Sequence, residues 1–493
     1  MEILSERKKD MLSLEAIKKH IETDASSTKK KHAKEGQRYY EGDHDINQFR
    51  IMFLDKEGKL KEDKVKSNIK ISHPFFTELV DQEVQYMLSG PDGFVRSDLP
   101  ELQEKLDAYF NDDEDFMAEL YEVITGCVAK GFEYAYAYKN KDGRTAFQCA
   151  DSIGVVEVKA KETNDHCDYV IFHYVDRISN ENKKITRIQV WDERQTYFYV
   201  QEENGAIVKD DSEKINPRPH ILYEEGGDKY FEGFGFIPFF RLDNCRKQFS
   251  GLKPIKALID DYDLMACGLS NNLQDMSEAY LAVKGFEGDD IDELAMNFRA
   301  KKHIGVGEGG DIEIKTVDIP YQARQAKLDL DEKNIYRFGM GFNAAQHGDG
   351  NITNVVIKSR YALLDLKCNK LEIRLKQFMR KLLTIVLDEI NAEEGTDYQQ
   401  KDVYFDFQRE TITNEADNAE IALKEAQKRQ TEINTLKNLQ VDLGSEKMME
   451  LVAEQLDLAW EELKGQIPKP EDDDLYDLKE APTVPTKEGG VIV

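Results

Sequence analysis

The chain is poor in the residues and motifs that would assign it a chemistry. Its 493 residues include six cysteines, Cys127, Cys149, Cys167, Cys245, Cys267 and Cys368, and no two of them form a C-x-x-C pair. Scattered, irregularly spaced cysteines in a long chain point to a reduced, intracellular protein rather than a disulfide scaffold. His166-Cys167 is the one His/Cys neighbour pair, and two adjacent donors do not make a tetrahedral zinc site. There is no run of about 18 apolar residues to span a membrane. The opening MEILSERKKDMLSLE lacks the apolar centre of a secretory signal. G-x-x-x-x-G-K-S/T is missing, which excludes a P-loop motor. GVGEGG (305–310) and GFGF (233–236) lack its Lys-Ser/Thr and read as turns. H-E-x-x-H, G-x-S-x-G and an EF-hand loop are missing too. Sequence reasoning therefore assigns no catalytic residue, no metal ligand and no cofactor.

Positive charge is also short. Lys plus Arg is 67 against 96 for Asp plus Glu, a net −29. Affinity for DNA comes from cations neutralising phosphates, so the overall field of this chain does not attract nucleic acid. Solubility is a sufficient reason for the charge. A sharper reading is that any DNA the protein meets slides past. With 40% hydrophobic and 33% charged residues, the chain can still bury a real core. Its length suits two to four domains or one composite fold.

The pattern of what is present is mixed. Leu14, Ile17 and Ile21 recur at helical spacing. The cluster Lys29-Lys30-Lys31-His32 reads as a solvated helix face. In NIKISHPFFTELVDQEVQYMLSG, Ser72 is a candidate N-cap and Gly90 a stop. Phe75, Phe76, Leu79, Val80, Val84, Met87 and Leu88 give a wide apolar face. A further amphipathic helix is expected over 101–131. Residues 132–245 then alternate aromatic and small residues, with Asp142-Gly143 and Asn204-Gly205 as hairpin turns. This predicts one antiparallel meander with a Tyr/Phe stripe in its core.

Long helices follow. Ile255, Leu258, Ile259, Tyr262, Met265, Leu269, Leu273, Met276 and Tyr280 predict a helix of roughly 30 residues, about 45 Å long, closed by Gly285 and Gly288. A small helix and a hairpin at Gly307, Gly309 and Gly310 are expected next. Another helix follows Pro320, then the polar loop NAAQHGDGNITN. The longest helix starts with Asn354 as N-cap. Ile357, Tyr361, Leu364, Cys368, Leu371, Leu375, Phe378, Leu382 and Val386 form its apolar face. A helical stretch over 414–464 precedes a Pro-rich acidic tail, expected to be disordered.

Two carboxylate clusters stand out, Asp112 to Asp115 and Asp260-Asp261-Tyr262-Asp263. A two-metal nuclease needs convergent carboxylates. Here the first reads as an acidic loop and the second, with Asp260 and Asp263 on one face, as solvated. Helices of this length cannot bury a wide apolar stripe within one small domain. They call for neighbours, most simply copies arranged in a ring.

Five stretches, taken in order and spacing, resemble the portal proteins of long-tailed phages of Gram-positive bacteria. They are YYEGDHDI (39–46), NIKI…YMLSG (68–90), FGFIPFFRLDNCRKQFSGLKPIKALIDDYDLMACGLSNNLQD (234–275), GNITNVVIKSRYALLDLKCNKLE (350–372) and FDFQRETITNEADNAE (405–420). The resemblance spans about residues 35–465.

It implies an α+β portal fold with long stem helices, a β-rich wing insertion, a small α/β clip and a helical crown. Residues 1–250 would form the wing, including the meander over 132–245. Stem helices would lie at 251–284 and 320–341, with the clip, 285–319, between them. The tunnel loop would be 342–354, with Gln346, His347, Asp349, Asn351, Thr353 and Asn354 facing the DNA channel. Residues 355–410 would hold the long wing helix and a strand, 411–465 the crown, and 466–493 the tail. Asp289, Asp290, Glu293, Arg299, Lys301 and Lys302 of the clip would contact terminase or a connector.

The same resemblance implies a homo-oligomeric ring of about twelve at one capsid vertex, assembled in the host cytoplasm and carried in the virion. Its partners would be double-stranded DNA in the channel, the terminase large subunit, scaffolding and major capsid proteins, and a head–tail connector, with no membrane involved. The polar, glycine-containing loop suits contact with moving DNA, and equally an ordinary helix connector. The clip, with nine carboxylates to four cations, would repel phosphates and centre a duplex. The basic residues of 355–390 suit either acidic neighbours or the channel. Two other readings stay open: a metal-dependent DNA-processing enzyme, and another minor head or scaffold protein.

Overall fold

A computed structural model describes residues 12–64, 66–91, 93–159, 167–178, 183–202, 205–225, 228–275, 280–284, 311–315, 321–343, 354–410, 415–438 and 445–455. Helices and sheets are mixed, and they form two compact units, one of residues 1–350 with 356–412 and one of 351–355 with 413–493.

In the larger unit, α1 (Leu14–Ala25) and α2 (Thr28–Tyr40) start where serine side chains cap them. Ser13 Oγ accepts from Ala16 N and Ser27 Oγ from Lys30 N, each at 3.2 Å. A two-stranded hairpin, β1 (Met52–Leu54) and β2 (Leu60–Glu62), leads towards α3 (Phe75–Met87). α3 buries Phe76, Leu79, Val80, Val84 and Met87 as the spacing predicts. Ser72 does not cap it. Its hydroxyl meets Asn47, and the helix has no side-chain cap.

After β3 (Val95–Ser97), the single helix expected over 101–131 is broken. α4 (Pro100–Leu106) passes into a wide π turn over Asp107–Asn111, and α5 (Glu114–Lys130) restarts with Asp113 Oδ1 accepting from Phe116 N at 3.0 Å. The acidic cluster expected as a loop is thus a helix start, where carboxylates are favoured by the cap and the dipole.

The β region is antiparallel, as expected, but divides into separate sheets rather than one meander. β4 (Phe132–Lys139) and β5 (Thr145–Ala150) turn at Asp142-Gly143, where Gly143 has φ +79°. They form a three-stranded sheet with β14 (Phe239–Asp243), in the order β14-β4-β5. A larger sheet has the order β10-β9-β8-β7-β6. Its strands are β6 (Val155–Val158), β7 (Tyr169–Ile178), β8 (Lys183–Trp191), β9 (Gln195–Glu202) and β10 (Ile207–Lys209). β11 (Arg218–Pro219) also pairs with β9, and β12 (Ile221–Glu225) and β13 (Asp228–Glu232) form a hairpin. Between the two main sheets Tyr136, Phe172, Trp191 and Phe239 lie ring to ring, with centroids 5.2–6.3 Å apart. The aromatic stripe is core.

The basic cluster is a solvated face only in part: Lys31 and His32 are exposed, whereas Lys29 is half-buried and Lys30 buried. Lys30 is 2% exposed. Its ammonium donates to the carbonyls of Ser152 and Val155 and pairs with Asp24 at 3.0 Å, which fastens α2 to the chain before β6. Lys29 lies over the Phe132 ring at 4.3 Å, and burial, reinforced by Arg241, lowers its pKa to about 8.

α6 (Lys256–Asp275) has 20 residues, not 30. Tyr280–Lys284, read above as its last turns, is strand β15, paired antiparallel with β16 (Asp311–Lys315). The three- and four-residue recurrence of apolar residues ran on past the helix. The register of β15 and β16 shows what displaced it, because Leu281 pairs with Ile314 and Val283 with Ile312. β16 pairs back to β15 across some thirty residues; the hairpin expected at the glycines 307–310 lies outside the described residues.

α7 (Tyr321–Gly339) follows, then α8 (Asn354–Glu394) of 41 residues, about 60 Å long at 1.5 Å per residue. Tyr361, Leu364, Cys368, Leu371, Leu375, Phe378, Leu382 and Val386 are all buried in one core with α3 and α5. β17 (Val403–Phe405) pairs with β3. The smaller unit contains α9 (Glu415–Asn438) and α10 (Ser445–Gln455). The tail expected at 466–493 lies outside the described residues.

Leu371 is 1% exposed at the middle of the α8 face. Leu371→Ala is expected to cost about 2–5 kcal/mol, read as a lower urea midpoint with unchanged slope.

Candidate functional site

The segment before α3 is built against α6 by a matched register. Backbone N–H groups of Ser67, Ile69, Ile71 and His73 meet Asp275 Oδ1 (3.1 Å), Asn271 Oδ1 (2.6 Å), Cys267 Sγ (3.2 Å) and Asp263 Oδ1 (3.0 Å). Every second residue of one segment meets every fourth of the other, running in the opposite sense. Two residues of extended chain rise about 6.6 Å and four of helix about 6 Å, so the two ladders stay in step.

At its top, Asp263 is fully buried. His44 Nδ1 donates to its Oδ2 at 2.6 Å, and His73 Nδ1 to its Oδ1 at 2.7 Å. These bonds outweigh burial and hold the carboxyl below its ordinary value of 3.8, although burial itself pushes it up. The Tyr39 ring stacks on His44 at 4.5 Å, and its hydroxyl donates to Asp260. Lys256 Nζ bridges Asp45 (2.6 Å) and Asp260 (2.7 Å). Asp261 instead takes Lys327 of α7 at 2.6 Å.

The second carboxylate cluster is therefore not a solvated face, and its members do not converge. Three aspartates serve three different sets of partners. Among the described residues no group of three His, Cys, Asp or Glu is placed to hold a metal ion.

The approach to the polar loop after α7 is pinned. Gln82 Nε2 donates to Phe342 O (2.9 Å), and Phe342 N donates to Gln82 Oε1 (3.2 Å). Asn343 donates to Glu332, and the Phe342 ring lies 4.8 Å from Tyr361. A Cβ at Gly341 would come within 2.3 Å of the end of the Leu79 side chain, so any larger residue here must displace Leu79. Gln346, His347, Asp349, Asn351 and Thr353 lie outside the described residues, and Asn354 is the first residue of α8. Asp289, Asp290, Glu293, Arg299, Lys301 and Lys302 also lie outside them.

Of the basic residues of α8, Lys367 pairs with the buried Glu83 at 2.8 Å and Lys376 with Glu372 at 2.8 Å. These acidic partners are in the same chain. Lys358, Lys370, Arg380 and Lys381 are exposed.

The family described as phage portal protein, SPP1 Gp6-like, matches residues 19–459. The chain belongs to that family. Members of the portal family are structural components of phage virions. The portal protein of Bacillus phage SPP1 is 26% identical over 389 residues, 78% of this chain and 75% of that one. The portal protein of Clostridium phage phiCD119 is 25% identical over 433 residues, 84% and 90% of the two chains. A solved structure titled the neck of a native GTA particle, computed with C12 symmetry, aligns with 76% of this portal chain and 86% of its own. Its TM-score is 0.35 at 11% identity. Among the described residues no helix is long and apolar enough to cross a membrane.

Sequence reasoning missed Asp263, His44, His73, Lys30 and Glu83. One signal was available. Asp263 sits between Ile259 and Cys267 at four-residue steps, an acid in the middle of a buried row.

Asp263→Asn leaves two histidine N–H groups facing a neutral amide and is expected to cost about 1.5–3 kcal/mol at pH 7. A depressed carboxyl contributes its stability above the unfolded value of 3.8 and loses it as pH falls through the folded value. In urea titrations from pH 7 to pH 2.5 the gap between wild type and variant should therefore close below about pH 3.8. A gap that stayed constant would remove the carboxylate charge as its source.

Proposed function

We propose that the chain assembles as a ring of about twelve copies at one capsid vertex. The ring is the channel through which double-stranded DNA enters the head during packaging and leaves it at ejection. The observation that carries this, beside portal-family membership, is the surface of the long helices. Leu264 and Leu273 of α6, Leu330 and Phe338 of α7, and Leu366 and Ile373 of α8 are all exposed in the single chain. Apolar residues repeated along helices of 19 to 41 residues need covering, and a head-to-tail contact that closes on itself covers them in every copy.

On this reading α6 and α7 are stem helices and the stretch between them, 285–319, is the clip. Residues 342–354 form the tunnel loop, presenting Gln346, His347, Asp349, Asn351 and Thr353 to passing DNA. The pinned root at Gly341 and Phe342 supports this, because a loop touching a moving duplex needs a fixed base. The smaller unit is the crown. The clip, through Asp289, Asp290, Glu293, Arg299, Lys301 and Lys302, docks the terminase large subunit during packaging and a head–tail connector afterwards. Scaffolding and major capsid proteins surround the wing. The net charge of −29 suits a conduit, since weak phosphate neutralisation leaves DNA free to slide. Assembly takes place in the host cytoplasm.

The test is electron microscopy of the purified protein, alone and with scaffolding protein. Class averages down the axis should show a ring with a hole wide enough for a duplex. Monomers that persist at high concentration in both conditions would sink the reading. The rival enzyme reading expects divalent-metal-dependent DNA cleavage, abolished by Asp260→Asn with Asp263→Asn. No cleavage is expected here, since those carboxylates are committed to Tyr39, Lys256 and the two histidines.

A further inference from the structure

The hairpin β1–β2 is uncovered on both sides. Its strands pair with each other and with no other described strand. The register sets Met52 opposite Glu62 and Leu54 opposite Leu60. By strand alternation Met52, Leu54 and Leu60 share one face, while Phe53 and Lys61 share the other. Leu54 is 67% exposed and Leu60 68%, and Met52 and Phe53 are about half exposed. A lone two-stranded ribbon is marginal in water, and this apolar face gains little from burial within its own chain.

The segment is also unusual in charge. Residues 50–70 carry seven Lys or Arg against four Asp or Glu, in a chain of net −29. It is not a loose end, because Ser67, Ile69 and Ile71 are fastened along α6 immediately after it.

We propose that this hairpin is a docking arm for a second copy of this chain. Its Met52–Leu54–Leu60 face seats on the outer side of that copy's α6–α7 pair. The inference rests on the ring reading above and adds to it the element that joins neighbours. A head-to-tail contact joins two different patches. The arm is one, and α6–α7 supplies the other, with Leu264 44% and Leu330 53% exposed. The charges suit a second copy as well, since the arm is basic and the chain as a whole carries a net −29. DNA would also attract a basic ribbon. The aliphatic face decides against it, because a phosphate backbone offers nothing to Leu54 and Leu60.

Two variants of the full chain test this. Leu54→Asp with Leu60→Asp places charge on the arm, and Leu54→Cys with Leu330→Cys places a crosslink across the contact. All three positions are exposed, so circular dichroism and the thermal midpoint should match wild type. Sedimentation velocity should show wild-type rings, with the aspartate variant needing about tenfold more protein to assemble. The cysteine pair should give a ladder of linked subunits on non-reducing gels that neither single variant gives. If the aspartate variant assembles at wild-type concentrations and no ladder forms, the arm inference fails while the ring reading stands. If wild type forms no ring, both fall. Intact rings that retain DNA less well would make the arm a DNA contact and overturn the second-copy assignment.

Discussion

The larger unit depends on the register between residues 67–73 and α6. Four backbone N–H groups are spent on side chains of one helix row, 275, 271, 267 and 263. A slip of one residue would present carbonyls where donors are needed, and the segment would lose all four bonds together. That register carries His73 to Asp263 and delivers Phe75 at the start of α3. Phe75 then meets Tyr262 of α6 (4.8 Å) and Tyr336 of α7 (5.9 Å) edge-on. Tyr336 in turn donates to Glu78 of α3 at 2.6 Å. Three helices and the root of the hairpin are thus located by a single ladder.

α8 organises the rest of the core in a different way. Its apolar row is long enough to serve as a floor for α3 and α5, and polar contacts along its flanks set its rotation. Tyr86 donates to Asp365 (2.8 Å), Lys367 pairs with Glu83, and Arg409 reaches Glu372. Near its end Glu389 accepts from Thr145 N at 3.1 Å and pairs with Lys139 at 3.0 Å. Rolling the helix by one position would expose part of the apolar row and break contacts with three separate segments.

Legibility in the sequence followed the range of the interaction. The apolar face of α8 and the turn at Asp142-Gly143 are set by neighbours a few residues away, and both could be read directly. The end of α6 could not. Leu273, Met276 and Tyr280 keep a helical spacing, but residues 280–284 are claimed by a strand some thirty positions later. The break at Asp112 was obscured for the opposite reason, since a run of acids looks like a loop until Asp113 is seen to cap a helix. The separation of the three-stranded sheet from the larger one is decided by β14 returning to β4 across about a hundred residues. Family membership was legible through five short stretches in order, whereas the buried charges were hidden because composition favours a solvated reading for any charge.

Those buried charges share a geometry. Lys30 ties α2 to carbonyls at 152 and 155. Glu83 ties α3 to α8, Glu389 ties α8 to β5, and Asp263 ties α6 to His44 and His73. Each links segments between 122 and 284 residues apart, and each is satisfied by a partner of fixed position. Replacing such a pair by apolar residues is often neutral for stability, but separating its partners leaves an uncompensated charge in a low-dielectric interior. The penalty therefore falls on misregistered packings rather than on the native one. In the proposed ring, a subunit that must present the same faces to identical neighbours has more use for that discrimination than for extra stability, because one misaligned face would be repeated at every contact.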